Sequence, residues 1–223
     1  MSESELLKSG NITKDQKQRI ICFGDSITQG NENGVWPTEF QKLLENWKPG
    51  KFEVLNKGKS GDTTVHGFDR IPTDLIPNLP AVVIIEFGVN DSNYRPWAKV
   101  PRVGSGEFAK NLREFHRIIT LHHGCSLFIV NHILNPIAGK YVNQGNGLSY
   151  QENLDLYNIV IKNIAKEQDS PVIDLPQELK TRAIKSEEFL FSDGVHLSPY
   201  GTKMYAEIVF LRFQELWESG QMR

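Results

Sequence analysis

Cysteine is scarce in this sequence. Two residues, Cys22 and Cys125, occur among 223, both beside or within apolar runs. That number excludes a small disulfide scaffold, and buried free thiols in a reducing cytoplasm are the expected state. Long apolar runs are also lacking. The longest, "PAVVIIEFGV" (80–89), is interrupted by Glu86 and is far shorter than the roughly 20 apolar residues that span a bilayer. Nor is there an excess of either charge. The net charge is −2 with both signs interspersed, so no basic face for nucleic acid is implied. The first residues, "MSESELLKSGNITKDQKQR", are polar, with neither an apolar core nor a small-residue cleavage site. They do not read as a secretory signal, and a cytoplasmic protein without stable membrane insertion is expected. No repeat, low-complexity tract or linker divides the chain. Residues 1–18 read as a polar extension and 19–223 as a single domain.

What is present is a regular alternation. Five short apolar runs stand out: "RIICFG" (19–24), "FEVLN" (52–56), "AVVIIEFG" (81–88), "SLFIVNH" (126–132) and "PVIDL" (171–175). Runs this short, rich in Val, Ile and Phe without polar alternation, suit strands buried on both faces of a parallel sheet. Between them, helical periodicity marks 36–47 (Trp36, Phe40, Leu43, Leu44, Trp47), 106–123 (Phe108, Leu112, Phe115, Ile119), 150–168 (Leu154, Tyr157, Ile161, Ile164) and 198–217. The last opens with Ser198 as a cap and Pro199 in the first turn. Alternating strands and helices predict a three-layer α/β/α sandwich around a central parallel sheet of about five strands. Two Gly-, Pro- and Asn-rich stretches, 91–105 and 133–148, follow the third and fourth strands. Ligands bind at that edge in such folds.

The first three strands each lead into a small polar cluster: "GDS" (24–26), "NKGKSGDT" (56–63) and "GVND" (88–91). In a parallel sheet all three share one edge. A fourth cluster, "SDGVHLSP" (192–199), precedes the last helix. Ser26 alone reads as a helix cap, because a hydroxyl attacks nothing unless a base takes its proton and donors receive the oxyanion. The other clusters supply both. Asp193 lies three residues before His196, so a turn brings the carboxylate to one ring nitrogen and leaves the other free for Ser26. Gly61 offers an unhindered backbone N–H, Asn90 a neutral side-chain N–H and Ser26 its own N–H. Phosphate-binding glycine motifs and the G-x-S-x-G elbow are absent, and Asp25, His132 and His196 lack any recognised metal spacing.

With "FGDSITQG", "GKSGDT", "FGVND" and "DGVHLSPYG" in this order, the chain resembles the GDSL or SGNH hydrolases, a family of esterases and lipases. The resemblance implies a flavodoxin-like sandwich, no metal or organic cofactor, and a small-molecule ester as substrate. It also implies Ser26 as nucleophile, His196 as general base and acid, Asp193 as its orienting partner, and Ser26, Gly61 and Asn90 as the oxyanion hole. Asp25 reads as a loop-ordering residue and, with His66, Tyr94 and His132, is kept as a candidate substrate contact. Loop residues Tyr94, Arg95, Trp97, Tyr141 and Tyr150 suit a small or polar ester, such as an acetylated carbohydrate, better than a long acyl chain. An acyltransferase using the same acyl-enzyme and a non-catalytic carbohydrate- or acyl-binding domain are the alternatives. The oligomeric state is left open.

Overall fold

A computed structural model of the protein describes residues 17–222 apart from 96, 141 and 144. All but the last two residues of the polar extension, and Tyr141, lie outside the described residues. Five strands, β1 (Gln18–Gly24), β2 (Phe52–Gly58), β3 (Val82–Glu86), β4 (Cys125–Val130) and β5 (Val172–Asp174), form a sheet in the order β2-β1-β3-β4-β5. Every neighbouring pair is parallel. In chain order the helices are α1 (Ser26–Gln29), α2 (Trp36–Trp47), α3 (Thr64–Asp69), α4 (Val89–Ser92) and α5 (Ser105–Leu121). They continue with α6 (Pro136–Gly139), α7 (Tyr150–Glu167), α8 (Leu175–Thr181), α9 (Ser186–Phe189) and α10 (Pro199–Glu218). This is the α/β sandwich that the alternation predicts, with the order of a flavodoxin-like sheet.

Successive side chains of a strand point to opposite faces, and here both faces are covered. Ile20, Cys22, Val82, Ile84, Leu127 and Ile129 meet Trp36, Phe40 and Leu44 of α2 and Tyr205, Val209 and Phe213 of α10. Ile21, Phe23, Val83, Ile85, Phe128 and Val130 meet Phe108, Phe115 and Ile119 of α5 and Tyr157, Ile161 and Ile164 of α7. That double burial is why the strands carry no polar alternation. Aromatic rings fill both layers: Trp36 stacks on Tyr205 at 4.9 Å, and Phe23 stands edge-on to Phe87 at 5.2 Å and Phe115 at 5.4 Å.

The four long helices lie where periodicity puts them, within two residues at each end. Ser198 caps α10 by accepting from the Gly201 N–H at 2.9 Å, with Pro199 in the first turn. The two stretches read as loops differ from expectation at their starts, where one-turn helices α4 and α6 form. Residues 64–78, to which periodicity assigns nothing, contain α3, a π-helical turn (Ile71–Leu75) and a 3-10 turn (Ile76–Asn78). These turns are too short, and too interrupted by Pro72 and Pro77, to show a 3.6-residue repeat. From this segment Arg70 reaches back, donating to the Gly24 carbonyl at 3.2 Å and the Lys57 carbonyl at 3.1 Å. It thereby ties the ends of β1 and β2 together. Among the described residues no helix is long and apolar enough to cross a membrane.

Phe115 is fully buried against Phe23 and Phe87, whereas Leu121 at the end of the same helix is 63% exposed. Phe115→Ala should therefore cost about 3–5 kcal/mol in urea unfolding, and Leu121→Ala no more than about 0.5. Equal losses at the two positions would contradict the layer assignment.

Candidate active site

The carboxyl ends of β1, β2 and β3 bring the first three polar clusters to one edge, at the point where the strand order reverses around β1. The chain leaves β1 at Gly24 and turns directly into α1. Asp25 caps this helix, its Oδ1 accepting the Ile27 N–H at 2.9 Å. Ser26 occupies the first helical position with its side chain toward the fourth cluster. Its Oγ lies 2.9 Å from His196 Nε2.

His196 arrives on a tight loop between α9 and α10. Asp193 Oδ1 accepts the N–H groups of Val195 and His196 at 2.9 and 3.0 Å, and its Oδ2 lies 2.7 Å from His196 Nδ1. A carboxylate at Nδ1 fixes the proton there and leaves Nε2 as an acceptor for the Ser26 hydroxyl. Partial burial raises the Asp193 carboxyl, but the Val195 N–H and the bonds from His196 outweigh it and hold the group below the ordinary range. The loop is fastened from behind. Asn135 N–H donates to the Gly194 carbonyl at 2.9 Å, and His132 Nε2 lies 2.8 Å from the Val195 carbonyl.

Gly61 and Asn90 approach from the β2 and β3 ends. Gly61 has φ +77°, and nothing lies within 4 Å of where a Cβ would stand, so the backbone angle rather than space calls for glycine. Gly88, at the start of the third cluster, has φ +133°, and a Cβ there would lie 2.5 Å from Asn131 Nδ2. Asn131 holds that turn by donating to the Phe87 carbonyl at 3.0 Å. Asn90 Nδ2 donates to Asp25 Oδ2 at 2.9 Å, which leaves its second hydrogen unspent. Among the described residues neither the Ser26 N–H nor the Gly61 N–H has an acceptor. Three donors are therefore uncommitted among the described residues: the Ser26 N–H, the Gly61 N–H and the second Asn90 Nδ2 hydrogen.

The structure thus brings Ser26, Asp193, His196, Gly61 and Asn90 together. The candidate substrate contacts fare differently. Asp25 and His132 are 0% and 1% exposed, so both are corrected: no substrate reaches them, and they support the site from beneath. Sequence position puts each at a strand end, but cannot tell a side chain aimed outward from one turned under the loop. Burial pushes the His132 ring down to about 4, against the Val195 carbonyl, so it is neutral and its Nε2–H donates. His66 is exposed, and its Nδ1 accepts the Thr63 N–H at 3.1 Å as part of a capping box on α3. Tyr94 lines a cavity of 590 Å³, with Asn93, Arg95, Arg102, Asn143 and Tyr150 among its walls. Arg102 had no signal in the sequence. It is one arginine in a Pro- and Gly-rich loop, yet it bonds both Asn90 and Gly61.

A family model for the GDSL-like lipase/acylhydrolase family matches residues 22–204. The chain belongs to that family. Its relatives include an isoamyl acetate-hydrolyzing esterase 1 homolog of Bos taurus, 28% identical across 89% of this chain and 80% of the relative. An arylesterase of Vibrio mimicus is 24% identical across 86% of each chain. A Bacillus subtilis protein named as an uncharacterized lipoprotein is 24% identical across 84% of this chain and 86% of its own. Among solved structures, Axe2, an acetylxylan esterase of Geobacillus stearothermophilus, superposes with a TM-score of 0.72 at 25% identity, covering 90% of this chain and 95% of that one. Two variants of that enzyme, called catalytic mutants, replace a serine and an aspartate by alanine. The expectation of a carboxylic ester hydrolase drawn from the four blocks is met, and the enzyme's sandwich is the one its structural neighbours share.

Beneath the site of this acylhydrolase lies a sealed group of acids. Glu86, fully buried, accepts the Thr28 hydroxyl at 2.9 Å. Burial, then the neighbouring Asp25 charge, raises its carboxyl well above the ordinary range. Asp25 is itself pushed up to about 7 by burial, with the Ile27 N–H and the Asn90 amide pulling the other way. The deeper acid therefore keeps its proton at neutral pH. The unfolded chain releases that proton near pH 4.5. The stabilisation is thus complete below that pH and is lost as pH rises toward the native value. Glu86→Gln cannot ionise, so its Tm relative to wild type should improve from about pH 5 to about pH 8. A Tm difference independent of pH would show that Glu86 is ionised in the native state.

Proposed function

We propose that this enzyme hydrolyses small or short-chain carboxylic esters, acetylated carbohydrates among them, through an acyl-enzyme on Ser26. In this reading residues 19–223 act as one catalytic domain. The observation that carries it is the relay from Ser26 Oγ to His196 Nε2 (2.9 Å) and from His196 Nδ1 to Asp193 Oδ2 (2.7 Å), set beside three uncommitted donors. Ser26 Oγ attacks the ester carbonyl carbon while His196 Nε2 takes the hydroxyl proton. The carbonyl oxygen becomes an oxyanion bonded by the N–H groups of Ser26 and Gly61 and by Asn90 Nδ2. Collapse breaks the bond to the alcohol oxygen, which leaves with the proton from His196. Water, deprotonated by His196, then attacks the acyl group, and the second collapse returns the proton to Ser26 Oγ. Asp193 holds the ring and stabilises its protonated form.

Two observations support a short acyl group and a polar alcohol. The adjoining cavity sets the polar side chains of Asn93, Asn143, Arg95 and Arg102 beside Tyr94, Tyr150 and the small apolar Ala98, Ala138 and Val142. The similar proteins named as an isoamyl acetate-hydrolyzing esterase 1 homolog and as an acetylxylan esterase carry names that refer to acetyl esters. The free thiols of Cys22, buried, and Cys125, half-buried, support the reducing compartment expected from the sequence.

Hydrolysis of p-nitrophenyl acetate, butyrate and octanoate tests the reading. Turnover should fall along that series, and Ser26→Ala should lose at least about a thousandfold in kcat with its circular dichroism unchanged. Wild-type rates in Ser26→Ala would eliminate the acyl-enzyme mechanism. Octanoate turned over as fast as acetate would eliminate the short-chain preference.

A further inference from the structure

Gly61 and Asn90 are the two proposed oxyanion donors with the most freedom to move. Gly61 carries no side chain and has nothing packed where one would be. Asn90 can present either end of its amide. One side chain limits both. Arg102 donates from Nη1 to Asn90 Oδ1 at 2.9 Å and from Nη2 to the Gly61 carbonyl at 2.7 Å.

The guanidinium starts from a fixed base. Arg102 N–H donates to the Asn93 carbonyl at 2.8 Å and Val103 N–H to the Asp91 carbonyl at 3.2 Å. The Tyr157 hydroxyl donates to the Val103 carbonyl, pinning the loop to α7. On Asn90 the oxygen held by Arg102 is the end of the amide opposite the Nδ2 that would meet the oxyanion. With Oδ1 held by a cation, Asn90 must turn Nδ2 toward Asp25 and Ser26. The held Gly61 carbonyl and the neighbouring Asp62 N–H, bonded to the Lys59 carbonyl at 3.1 Å, fix the peptide plane that follows Gly61 and so brace the turn that carries its N–H. A planar fork reaches its two acceptors from two nitrogens held at fixed spacing, whereas lysine carries its three donors on one nitrogen at the end of a flexible stem.

We infer that Arg102 is a positioning residue that orients the Asn90 amide and braces the Gly61 turn, so that the two form one oxyanion hole. The inference rests on the proposed roles of Ser26, Gly61 and Asn90. Arg102 touches neither Ser26 nor the proton relay, so it acts on the stabilisation of the transition state rather than on the nucleophile.

The test is kcat and KM for p-nitrophenyl acetate in wild type, Arg102→Ala, Arg102→Lys, Asn90→Ala and the Arg102→Ala/Asn90→Ala pair. Ser26→Ala runs alongside, and each active variant is also titrated with a boronic acid inhibitor that forms a tetrahedral adduct on serine. Arg102→Ala should lower kcat by about 10- to 100-fold with KM within about threefold, and weaken the boronic acid by a similar factor. Arg102→Lys should recover part of the loss. Removing Arg102 should cost markedly less when Asn90 is already alanine. A kcat for Arg102→Ala within about twofold of wild type, a rise in KM alone, or a loss independent of Asn90 would each overturn the inference. If Arg102→Ala fails to fold by circular dichroism, Arg102→Lys decides on the same quantities: wild-type kcat and inhibitor affinity would overturn the role. Ser26→Ala separates the two levels. Wild-type turnover in that variant overturns the proposed function, whereas its loss beside an unaffected Arg102→Ala overturns only the role of Arg102.

Discussion

The candidate site depends on one carboxyl group with no access to water. Asp25 is buried completely, yet Oδ1 holds the Ile27 N–H that starts α1 and Oδ2 holds the Asn90 amide. Sealing a carboxylate is costly unless its oxygens are bonded, and here both are. The same bonds that offset the burial set the turn on which Ser26 stands and the amide proposed to meet the oxyanion. The neighbouring Glu86, protonated, adds no second charge to the pocket. Two buried acids so close cannot both ionise at acceptable cost, and the sheet assigns the neutral form to the deeper one.

Asp193 is the counter-example within the same site. Its side chain is 43% exposed, it accepts three hydrogen bonds, and its carboxyl lies below the ordinary range. Water and donors keep it charged, which suits a partner for an imidazole that gains a proton. Solvation and hydrogen bonding together thus separate the two aspartates: one is an anion beside the histidine, the other a buried post for the backbone and for Asn90. The topology makes the separation possible. β1 is an interior strand between β2 and β3, so Asp25 at its end is enclosed, while Asp193 comes from the connection between α9 and α10.

Most of this arrangement is legible in the sequence because it is built from local patterns. Strands buried on both faces read as unbroken apolar runs, and stripes such as Phe108–Leu112–Phe115–Ile119 read as a helix face. Ser26, Gly61 and Asn90 are visible because each follows a strand in a short polar cluster, and Asp193 and His196 because they are three residues apart. What fails to show is direction and reach. Asp25 and His132 sit beside the right strand ends but turn inward, which no neighbour in the chain reveals. Arg102 is 41 residues from Gly61 and 12 from Asn90, in a loop without periodicity, and its partners are a carbonyl and an amide oxygen that every sequence contains. His66 has a sequence signal of the opposite kind: Thr63 three residues earlier makes it a capping-box partner, a local role that competes with any role in the site.

The remaining question is why an amide, which can turn either end outward, is suited to receiving an oxyanion. Asn90 lies between Arg102 at Oδ1 and Asp25 at Nδ2. Rotated by half a turn, it would set its oxygen against a carboxyl and its NH₂ against a guanidinium, losing two hydrogen bonds and gaining two repulsive contacts. The observed orientation is therefore selected at both ends, and the second Nδ2 hydrogen is held in place before any substrate arrives. Donors fixed in advance need no reorganisation when charge develops, and this is where an oxyanion site gains most over water. The cation and the acid together contribute alignment, while the groups proposed to meet the oxyanion stay neutral. A neutral, prealigned donor stabilises the developing charge without binding an anionic product strongly.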